Sequence, residues 1–219
     1  MKKALAIIFD LDGTLINSIE DLGDTVNQLL KKRGYPIHDI NSYCKFVGDG
    51  VIKLIERALP ENCNDDIMEI KLEFDEIYGK NCLNKTKAYP GIVELLEILK
   101  EHDYNLAVVT NKPQQHAIKI TKALFPDTFD YIFGNSALHP KKPDPCLTNL
   151  VINLFDVKKN EVVYIGDSDV DIQTAKNTKV KSIGVSWGFR GKEELVNSNA
   201  DCVVDYPQEI WSKINDWSK

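Results

Sequence analysis

Residues 7–15 read Ile7-Ile8-Phe9-Asp10-Leu11-Asp12-Gly13-Thr14-Leu15. The apolar run from Leu5 to Phe9 is rich in isoleucine and too short for a helix, so it predicts a strand that is buried on both faces within a parallel sheet. Because strand side chains alternate, Asp10 and Asp12 leave this strand toward roughly the same side, where an α/β sheet opens its ligand crevice. Gly13 then allows a tight turn and a close approach to a ligand.

The D-x-D-G sequence also occurs in polar turns and in calcium-binding loops. A calcium loop needs further acidic residues two and four positions on and a glutamate near its end, whereas Thr14, Leu15 and Ile16 follow here. Two carboxylates at the end of a buried strand are costly to place without a use. The motif therefore favours chemistry over a structural turn.

Composition and charge exclude several classes of protein. The chain has 219 residues, 43% of them hydrophobic, and a formal net charge of -6, which fits a globular enzyme and argues against nucleic-acid binding. Too few apolar residues precede Asp10 for a signal peptide, and no later run reaches membrane length. We therefore expect a cytoplasmic protein that does not act at a membrane, and the sequence leaves open whether it is a monomer or a homodimer.

The cysteines predict neither disulfides nor a zinc site. They are odd in number, widely spaced and never form C-x-x-C, and the four histidines are equally scattered. We expect free, mostly buried thiols in a reducing compartment, at Cys44, Cys63, Cys82, Cys146 and Cys202.

After Leu15 the pattern changes from strand to helix. Asn17 and Ser18 are candidate caps, with Glu20 or Asp21 three residues on, close to a capping box, and apolar residues then recur at helical spacing until Gly34. A helix between Ser18 and Gly34 is therefore predicted.

Two more helical patterns follow, over about 51–59 and 65–78. No strand pattern occurs between Ile16 and Asn84. We therefore interpret residues 16–84 as an all-helical cap domain inserted into a core made of residues 1–15 and 85–219.

Strands alternate with helices through the rest of the chain. The predicted strands cover residues 105–110, 131–133, 162–165, 182–185 and 202–204. Such alternation is typical of a parallel sheet with right-handed crossovers. The predicted fold class is α/β, a doubly wound, Rossmann-like sheet with a helical insert.

Polar residues follow several of these strands at the point where each strand ends. In a doubly wound sheet those ends share one edge, so residues far apart in sequence can meet in one crevice. The residues predicted to converge there are Asp10, Asp12, Thr110, Asn111, Lys142, Asp167 and Asp171.

Each later motif has a structural alternative when taken alone. Thr110 and Asn111 could cap the following helix, Lys142 could be a solvated surface lysine, and Asp167 could be a helix N-cap. Asp169 is interpreted as facing solvent. The motifs favour a catalytic site only together, in order and at successive strand ends.

These motifs together resemble the four motifs of the haloacid dehalogenase-like superfamily, most of whose members are phosphatases. The resemblance implies that Asp10 attacks phosphorus to give an aspartyl-phosphate, since a carboxylate needs no deprotonation near neutral pH. It implies that Asp12 protonates the leaving alcohol and then activates water.

The resemblance also implies a cofactor and a phosphate site. It implies Mg²⁺ held by the Asp10 carboxylate, the Asp12 backbone carbonyl and Asp167, with Asp171 acting through water or as support. Phosphate oxygens would be bound by Thr110, Asn111 and Lys142.

Further segments resemble the phosphoglycolate phosphatase branch of this superfamily, among them residues 17–22, 47–51, 110–113, 142–145 and 186–189. The chain departs from that branch at Asn17, at Lys53 and at residues 178–180. In the predicted cap, Gly48-Asp49-Gly50 precedes a helix, and Lys53 lies in the first turn of that helix. The N-terminus of a helix favours anions. We expect these four residues to contact the substrate.

A phosphohydrolase acting on a small phosphorylated metabolite is the first hypothesis, with 2-phosphoglycolate the leading substrate. Nucleotides, sugar phosphates and pyrophosphate stay open as substrates. A phosphomutase of the β-phosphoglucomutase type would share both aspartates of the first motif, but residues 110–113 and 48–50 favour the phosphatase. A dehalogenase would lack Asp12, a phosphonatase would need a cap lysine such as Lys53, and a binding protein on this fold is the non-enzymatic alternative.

Overall fold

A computed structural model describes residues 6–217 of the chain. Leu5, which begins the predicted first strand, and the outer ends of the predicted core ranges, 1–5 and 218–219, lie outside the described residues. The main sheet has six parallel strands in the order β5-β4-β1-β6-β7-β8. Its strands are β1 (Ala6–Phe9), β4 (Asn105–Pro113), β5 (Tyr131–Asn135), β6 (Val162–Gly166), β7 (Lys181–Val185) and β8 (Cys202–Val204).

Helices connect the strands and form most of the rest of the described chain. They are α1 (Ile19–Lys32), α2 (Tyr43–Phe46), α3 (Val51–Ala58), α4 (Ile67–Asn81), α5 (Ile92–Glu101), α6 (Gln114–Leu124), α7 (Cys146–Leu154), α8 (Asp169–Thr178), α9 (Gly191–Asn197) and α10 (Pro207–Trp217). Short 3₁₀ turns lie at Ile40–Ser42 and Lys159–Glu161. The predicted parallel α/β sheet is confirmed.

Strand β1 lies at the centre of this sheet and at its topological switch. The chain passes from β1 to β4 and β5 on one side, then returns to β6, β7 and β8 on the other. Ligands bind where the strand order reverses in such sheets, at the carboxyl ends of the strands. Asp10 directly follows β1, so it lies at that point.

The sheet separates two hydrophobic cores, as the period-two alternation of β1 requires. Ile7 and Phe9 pack into one core, which extends into helices α1 to α4. Ala6 and Ile8 pack into the other core. All four side chains are fully buried. The strand is therefore buried on both faces, as its unbroken apolar run predicts.

The prediction that no strand occurs between Ile16 and Asn84 is wrong at its first residues. Strand β2 (Ile16–Asn17) pairs antiparallel with β3 (Lys87–Ala88). A two-residue strand is too short to show alternation, so the sequence carries no signal for it. From Ile19 to Asn81 the regular elements are helical, and we call α1 to α4 the helical insert.

The first helix of the insert ends where the sequence predicts but begins differently. Gly34 has a φ of 74°, and the N–H of Tyr35 donates to the carbonyl of Leu30, which closes the helix end. Ser18 is the N-cap residue but makes no capping bond with its side chain, whereas Oδ1 of Asn17, the other predicted cap, accepts the N–H of Ile19 at 3.2 Å. The predicted capping box is therefore wrong. The Asp21 carboxylate instead accepts the backbone N–H groups of Lys85 and Thr86.

Three further features of the sequence can be compared with the fold. The five cysteines are free, but only Cys82 is fully buried and the other four are half-buried. Lys179 ends α8 with a φ of 64°, so this position has the left-handed conformation that usually favours glycine. Within residues 6–217 no helix is both long and apolar enough to cross a membrane.

Candidate active site

Asp10 lies at the carboxyl end of β1, and its backbone N–H donates to the carbonyl of Ile165 on β6. Its carboxylate is buried, with Oδ1 2.8 Å from Nζ of Lys142. The angles at this contact are not those of a hydrogen bond, so it is an ion pair, and Oδ1 of Asp10 accepts no hydrogen bond among the described residues. Burial raises the pKa of Asp10 from 3.8 to about 6, although Lys142 partly offsets this effect. The Asp10 carboxylate is therefore buried and paired with Lys142 at the point where it lines the cavity.

Lys142 joins two buried carboxylates. Its Nζ is 2.7 Å from Oδ1 of Asp171 and 2.8 Å from Oδ1 of Asp10, and its side chain is only 3% exposed. Burial alone would lower the pKa of Lys142, but Asp10 and Asp171 hold it well above its usual value. Ser168 fixes the other oxygen of Asp171 through its N–H and its hydroxyl. Lys142 is thus a buried cation of the site, and the surface-lysine alternative is wrong.

Asp167 follows β6 and faces the same edge of the sheet. It accepts a hydrogen bond of 3.2 Å from the Thr14 hydroxyl and one of 2.8 Å from the N–H of Phe189. Burial, then the charges of Asp171 and Asp10, raises the pKa of Asp167 well above its usual value. The N-cap of α8 is Ser168, so the N-cap alternative for Asp167 is wrong.

Glycines make room for the Asp167 carboxylate. A Cβ at Gly13 would lie 2.3 Å from Oδ2 of Asp167, and a Cβ at Gly188 would lie 2.2 Å from its Cβ. Gly13 also has a φ of 87°, which side-chain-bearing residues rarely adopt. The glycine of the D-x-D-G motif is therefore needed for both its turn and its packing.

The three buried aspartates form a candidate cation site. Carboxylate oxygens of Asp10, Asp167 and Asp171 all lie within 4.8 Å of one another. Lys142 supplies one positive charge against three carboxylates, so ionising all three leaves an excess of negative charge in a buried place. An all-oxygen donor set with this excess fits a hard divalent cation. Both oxygens of Asp171 and both oxygens of Asp167 already contact protein groups, so a cation would share these carboxylates with their present partners.

Asp12 lies beyond Asp10 and lines the open cavity above the sheet edge. Its carboxylate accepts a bond of 2.5 Å from the Ser18 hydroxyl and bonds of 2.9 and 3.0 Å from Nζ of Lys112. The sequence interpretation named neither partner. The signal for Lys112 was its place two residues after Thr110, which puts both side chains on one face of an extended strand.

The predicted phosphate ligands Thr110 and Asn111 both line the cavity, but the amide of Asn111 is already bonded. Its Oδ1 accepts the N–H of Lys142, and its Nδ2 donates to the carbonyls of Lys142 and Gly48. The side chain therefore holds two backbone segments in this arrangement rather than pointing N–H groups at a phosphate.

The four residues predicted to contact substrate from the insert separate into two pairs. Gly48 and Gly50 line the cavity, with φ angles of 116° and 88°. Asp49 is bonded to Arg57, and Lys53 is 55% exposed and paired with Glu56. Neither Asp49 nor Lys53 is among the residues that line the cavity.

The cavity lies between the sheet edge and the helical insert and has a volume of about 620 Å³ including its mouth. The insert contributes mostly apolar side chains, at Leu22, Val47, Val51, Leu54 and Tyr78. Cationic groups come from the core, at Lys112 and Arg190. Arg190 also donates to the carbonyl of Val47 at 2.9 Å, so it joins the core to the insert. The sequence interpretation did not name Arg190.

Comparison with known proteins adds independent evidence. A model of the haloacid dehalogenase-like hydrolase family matches residues 7–185. Phosphoglycolate phosphatases of Vibrio parahaemolyticus and Psychrobacter arcticus are 33% and 34% identical, over 93% and 88% of this chain and the same shares of theirs. The crystal structure of a predicted phosphoglycolate phosphatase from Haemophilus somnus superposes with a TM-score of 0.89 at 32% identity, covering 97% of this chain and 98% of that one. The chain therefore belongs to the haloacid dehalogenase-like hydrolase family.

Proposed function

We propose that this phosphoric monoester hydrolase cleaves a small phosphorylated metabolite through an aspartyl-phosphate on Asp10. The observation that carries the proposal is the buried group of Asp10, Asp167, Asp171 and Lys142 beside a cavity that Asp12 also lines. Family membership and relatives named phosphoglycolate phosphatase support it.

In the proposed mechanism Asp10 and Asp12 divide the chemistry. A carboxylate oxygen of Asp10 forms a bond to phosphorus while the ester P–O bond breaks, and Asp12 gives its proton to the departing alkoxide. Asp12 then takes a proton from water as the water oxygen attacks phosphorus. This second step breaks the acyl-phosphate bond, which releases phosphate and restores Asp10.

The remaining groups would stabilise charge on the transferring phosphoryl group. Lys142 and the Thr110 hydroxyl would contact phosphate oxygens, as would Asn111 only if its amide exchanged its present bonds. Mg²⁺, held by Asp10, Asp167 and the backbone carbonyl of Asp12 with Asp171 as support, would neutralise charge on the phosphoryl oxygens. Such preorganised charge is commonly the largest single contribution to catalysis.

The substrate we propose is 2-phosphoglycolate, a phosphate monoester with a second anionic group. The names of the relatives support this choice, and Arg190 offers a cation at the cavity wall. The helical insert would act as the cap that covers the substrate, with residues 16–84 as its domain. The free cysteines agree with the cytoplasm as the place of action.

The test is a phosphate-release assay over a panel of esters, with Mg²⁺ and with EDTA. The panel contains 2-phosphoglycolate, glucose 6-phosphate, a nucleoside monophosphate, pyrophosphate and β-glucose 1-phosphate. We expect Mg²⁺-dependent release with the highest kcat/KM for 2-phosphoglycolate. Isomerisation of β-glucose 1-phosphate without phosphate release would favour the phosphomutase, and undiminished turnover in EDTA would exclude the metal.

A further inference from the structure

Lys112 is a buried charged group that the proposed mechanism leaves without a role. Its side chain is only 2% exposed. Its Nζ lies 2.9 and 3.0 Å from the two oxygens of the Asp12 carboxylate and 2.7 Å from the Tyr78 hydroxyl. Three oxygen contacts match the three N–H donors of an ammonium group.

Such an arrangement fixes the orientation of Asp12. Removing an ammonium group from water costs several kcal/mol unless its partners are well placed, so a lysine is rarely buried without one. Here Lys112 contacts both oxygens of Asp12, and the Ser18 hydroxyl reaches Oδ1 at 2.5 Å. The carboxylate is thereby held from two directions.

The third contact of Lys112 reaches into the helical insert. Tyr78 lies on α4, is 1% exposed, stacks on Phe74 and meets the ring of His116 edge-on. Lys119 on α6 donates to the carbonyl of Gly79 on α4 at 2.5 Å. The position of the Tyr78 hydroxyl therefore depends on how α4 of the insert lies against α6 of the core.

We propose that Lys112 and Tyr78 are positioning residues for Asp12. Lys112 orients the Asp12 carboxylate toward the leaving group, and Tyr78 fixes Lys112 only while α4 is docked on the core. This proposal rests on the proposed role of Asp12 as proton donor. It links closure of the insert over a substrate to the alignment of the acid.

The proposal makes a prediction that depends on the leaving group. An alkoxide is a poor leaving group and needs a proton as the ester bond breaks, whereas p-nitrophenolate leaves readily without one. Asp10, Lys142 and the aspartates of the cation site are not altered when Lys112 or Tyr78 is changed. Loss of alignment should therefore slow alkyl phosphates far more than p-nitrophenyl phosphate.

The variants are Lys112→Met and Tyr78→Phe, each with a matched control. Lys100→Met removes a lysine that donates to a backbone carbonyl within the core, that of Asp127, and neither residue lines the cavity. Tyr43→Phe removes the hydroxyl of a buried tyrosine in the insert that bonds Asn27, away from the cavity. The measured quantity is kcat/KM with Mg²⁺ for 2-phosphoglycolate and for p-nitrophenyl phosphate, because kcat/KM covers the step that breaks the ester bond.

For 2-phosphoglycolate we expect a loss of about 100-fold in Lys112→Met and about tenfold in Tyr78→Phe, within the range of general acid catalysis. For p-nitrophenyl phosphate both losses should stay below about fivefold, and both controls should stay within about twofold for either ester. Melting curves check that each variant is folded. If Lys112→Met does not fold, Tyr78→Phe alone tests the proposal, because that substitution removes a single oxygen atom.

Two outcomes would overturn the proposal, and they can be told apart. Equal losses for both esters, or no loss for either, would mean that Lys112 and Tyr78 serve packing and not the acid. A wild-type protein that releases phosphate from neither ester would refute the proposed function and this inference together.

Discussion

The two walls of the cavity are built from different chemistry. The core wall carries Asp10 and Asp167, with Asp171 and Lys142 buried next to them, and each of these groups contacts another side chain or a backbone N–H. The insert wall carries apolar side chains and two glycines, while its charged neighbours Asp49 and Lys53 pair with Arg57 and Glu56 outside the cavity. The core wall therefore suits a hard cation, with which a phosphoryl group would bind, and the insert wall would chiefly limit size and exclude water.

This difference separates reaction from selection. A wall of fixed charges prescribes where a phosphoryl group and a cation can lie, and it does so for any phosphate ester. An apolar wall distinguishes ligands weakly, because one methylene is worth only about 1–3 kcal/mol. Selection of one ester over another must then depend on the few polar groups near the boundary of the two walls, such as Arg190.

The largest effect is expected on the core wall, from Asp10→Asn. An amide is a poor nucleophile and a weaker cation ligand, so phosphate release should fall by at least about 10³-fold while the fold is retained. The measurement is phosphate release with 2-phosphoglycolate, with circular dichroism as the check on folding. Activity within tenfold of wild type would refute attack by Asp10.

The next effect tests the cation of the core wall. Lys142→Ala should cost on the order of 3 kcal/mol of transition-state stabilisation, or about 100-fold in kcat/KM, the scale for losing one preorganised donor. Lys141→Ala is the matched control, because Lys141 is adjacent in sequence but lies by Gly50, in the loop of residues 47–50 between α2 and α3, which we call the insert loop. Similar losses in the two variants would mean that general charge near the cavity matters and not the contact with Asp10.

The sequence predicted the core wall well for a physical reason. Asp10, Lys142, Asp167 and Asp171 come at or soon after strand ends, and a parallel sheet brings those ends to one edge whatever lies between them. The strands themselves are visible as apolar runs or alternations. Once the order of strands along the sequence is known, the parallel topology therefore determines which polar residues lie together.

The insert wall could not be predicted in the same way. Helical periodicity identifies which face is apolar, but it does not show which loop residues point at a distant core. Lys53 is an example, since its spacing to Glu56 favours a pair on the helix surface as much as a substrate contact. Arg190 follows β7 and reaches the insert loop only through the tertiary fold, so no local pattern marks it.

The crowding of charge on the core wall should appear in the stability of the metal-free protein. Burial raises the pKa of Asp10 from 3.8 to about 6, so the folded state keeps a proton between those values that the unfolded state has lost. The stability from that proton is fully present below about pH 4 and is lost as the pH rises through about 6. Asp10→Asn removes this dependence, so in EDTA it should be more stable than wild type at pH 8 by about 1–3 kcal/mol.

Denaturant unfolding of both proteins in EDTA at pH 4.5 and pH 8 measures this difference. Comparing the two proteins cancels other titrating groups, such as His116, whose pKa burial lowers. Mg²⁺ at pH 8 should stabilise wild type more than the variant, since Asp10 is a proposed ligand. If the variant is more stable than wild type by the same free energy at both pH values, the pKa of Asp10 is not raised in the folded protein.

The smallest effects are expected at the boundary of the two walls, where Arg190 and Arg57 form a matched pair. Each donates to a backbone carbonyl at the start of the insert loop, both at 2.9 Å. Arg190 donates to Val47, and Arg57 donates to Phe46, the last residue of α2. Only Arg190 of these two lines the cavity. Loss of the loop contact alone should therefore affect both variants alike, and loss of a substrate contact should affect Arg190→Ala only.

For Arg190→Ala we expect kcat/KM for 2-phosphoglycolate to fall about tenfold, chiefly through KM, because one charge-assisted contact to the carboxylate is worth roughly 1.5–3 kcal/mol before the loop adjusts. The loss for p-nitrophenyl phosphate, which has no carboxylate, should be below about threefold, as should both losses in Arg57→Ala. Lys53→Ala should change neither ester by more than about twofold, because its ammonium is exposed and paired with Glu56. A larger loss in Lys53→Ala than in Arg190→Ala, confined to 2-phosphoglycolate, would place substrate selection back on the insert wall and reverse the division drawn between the two.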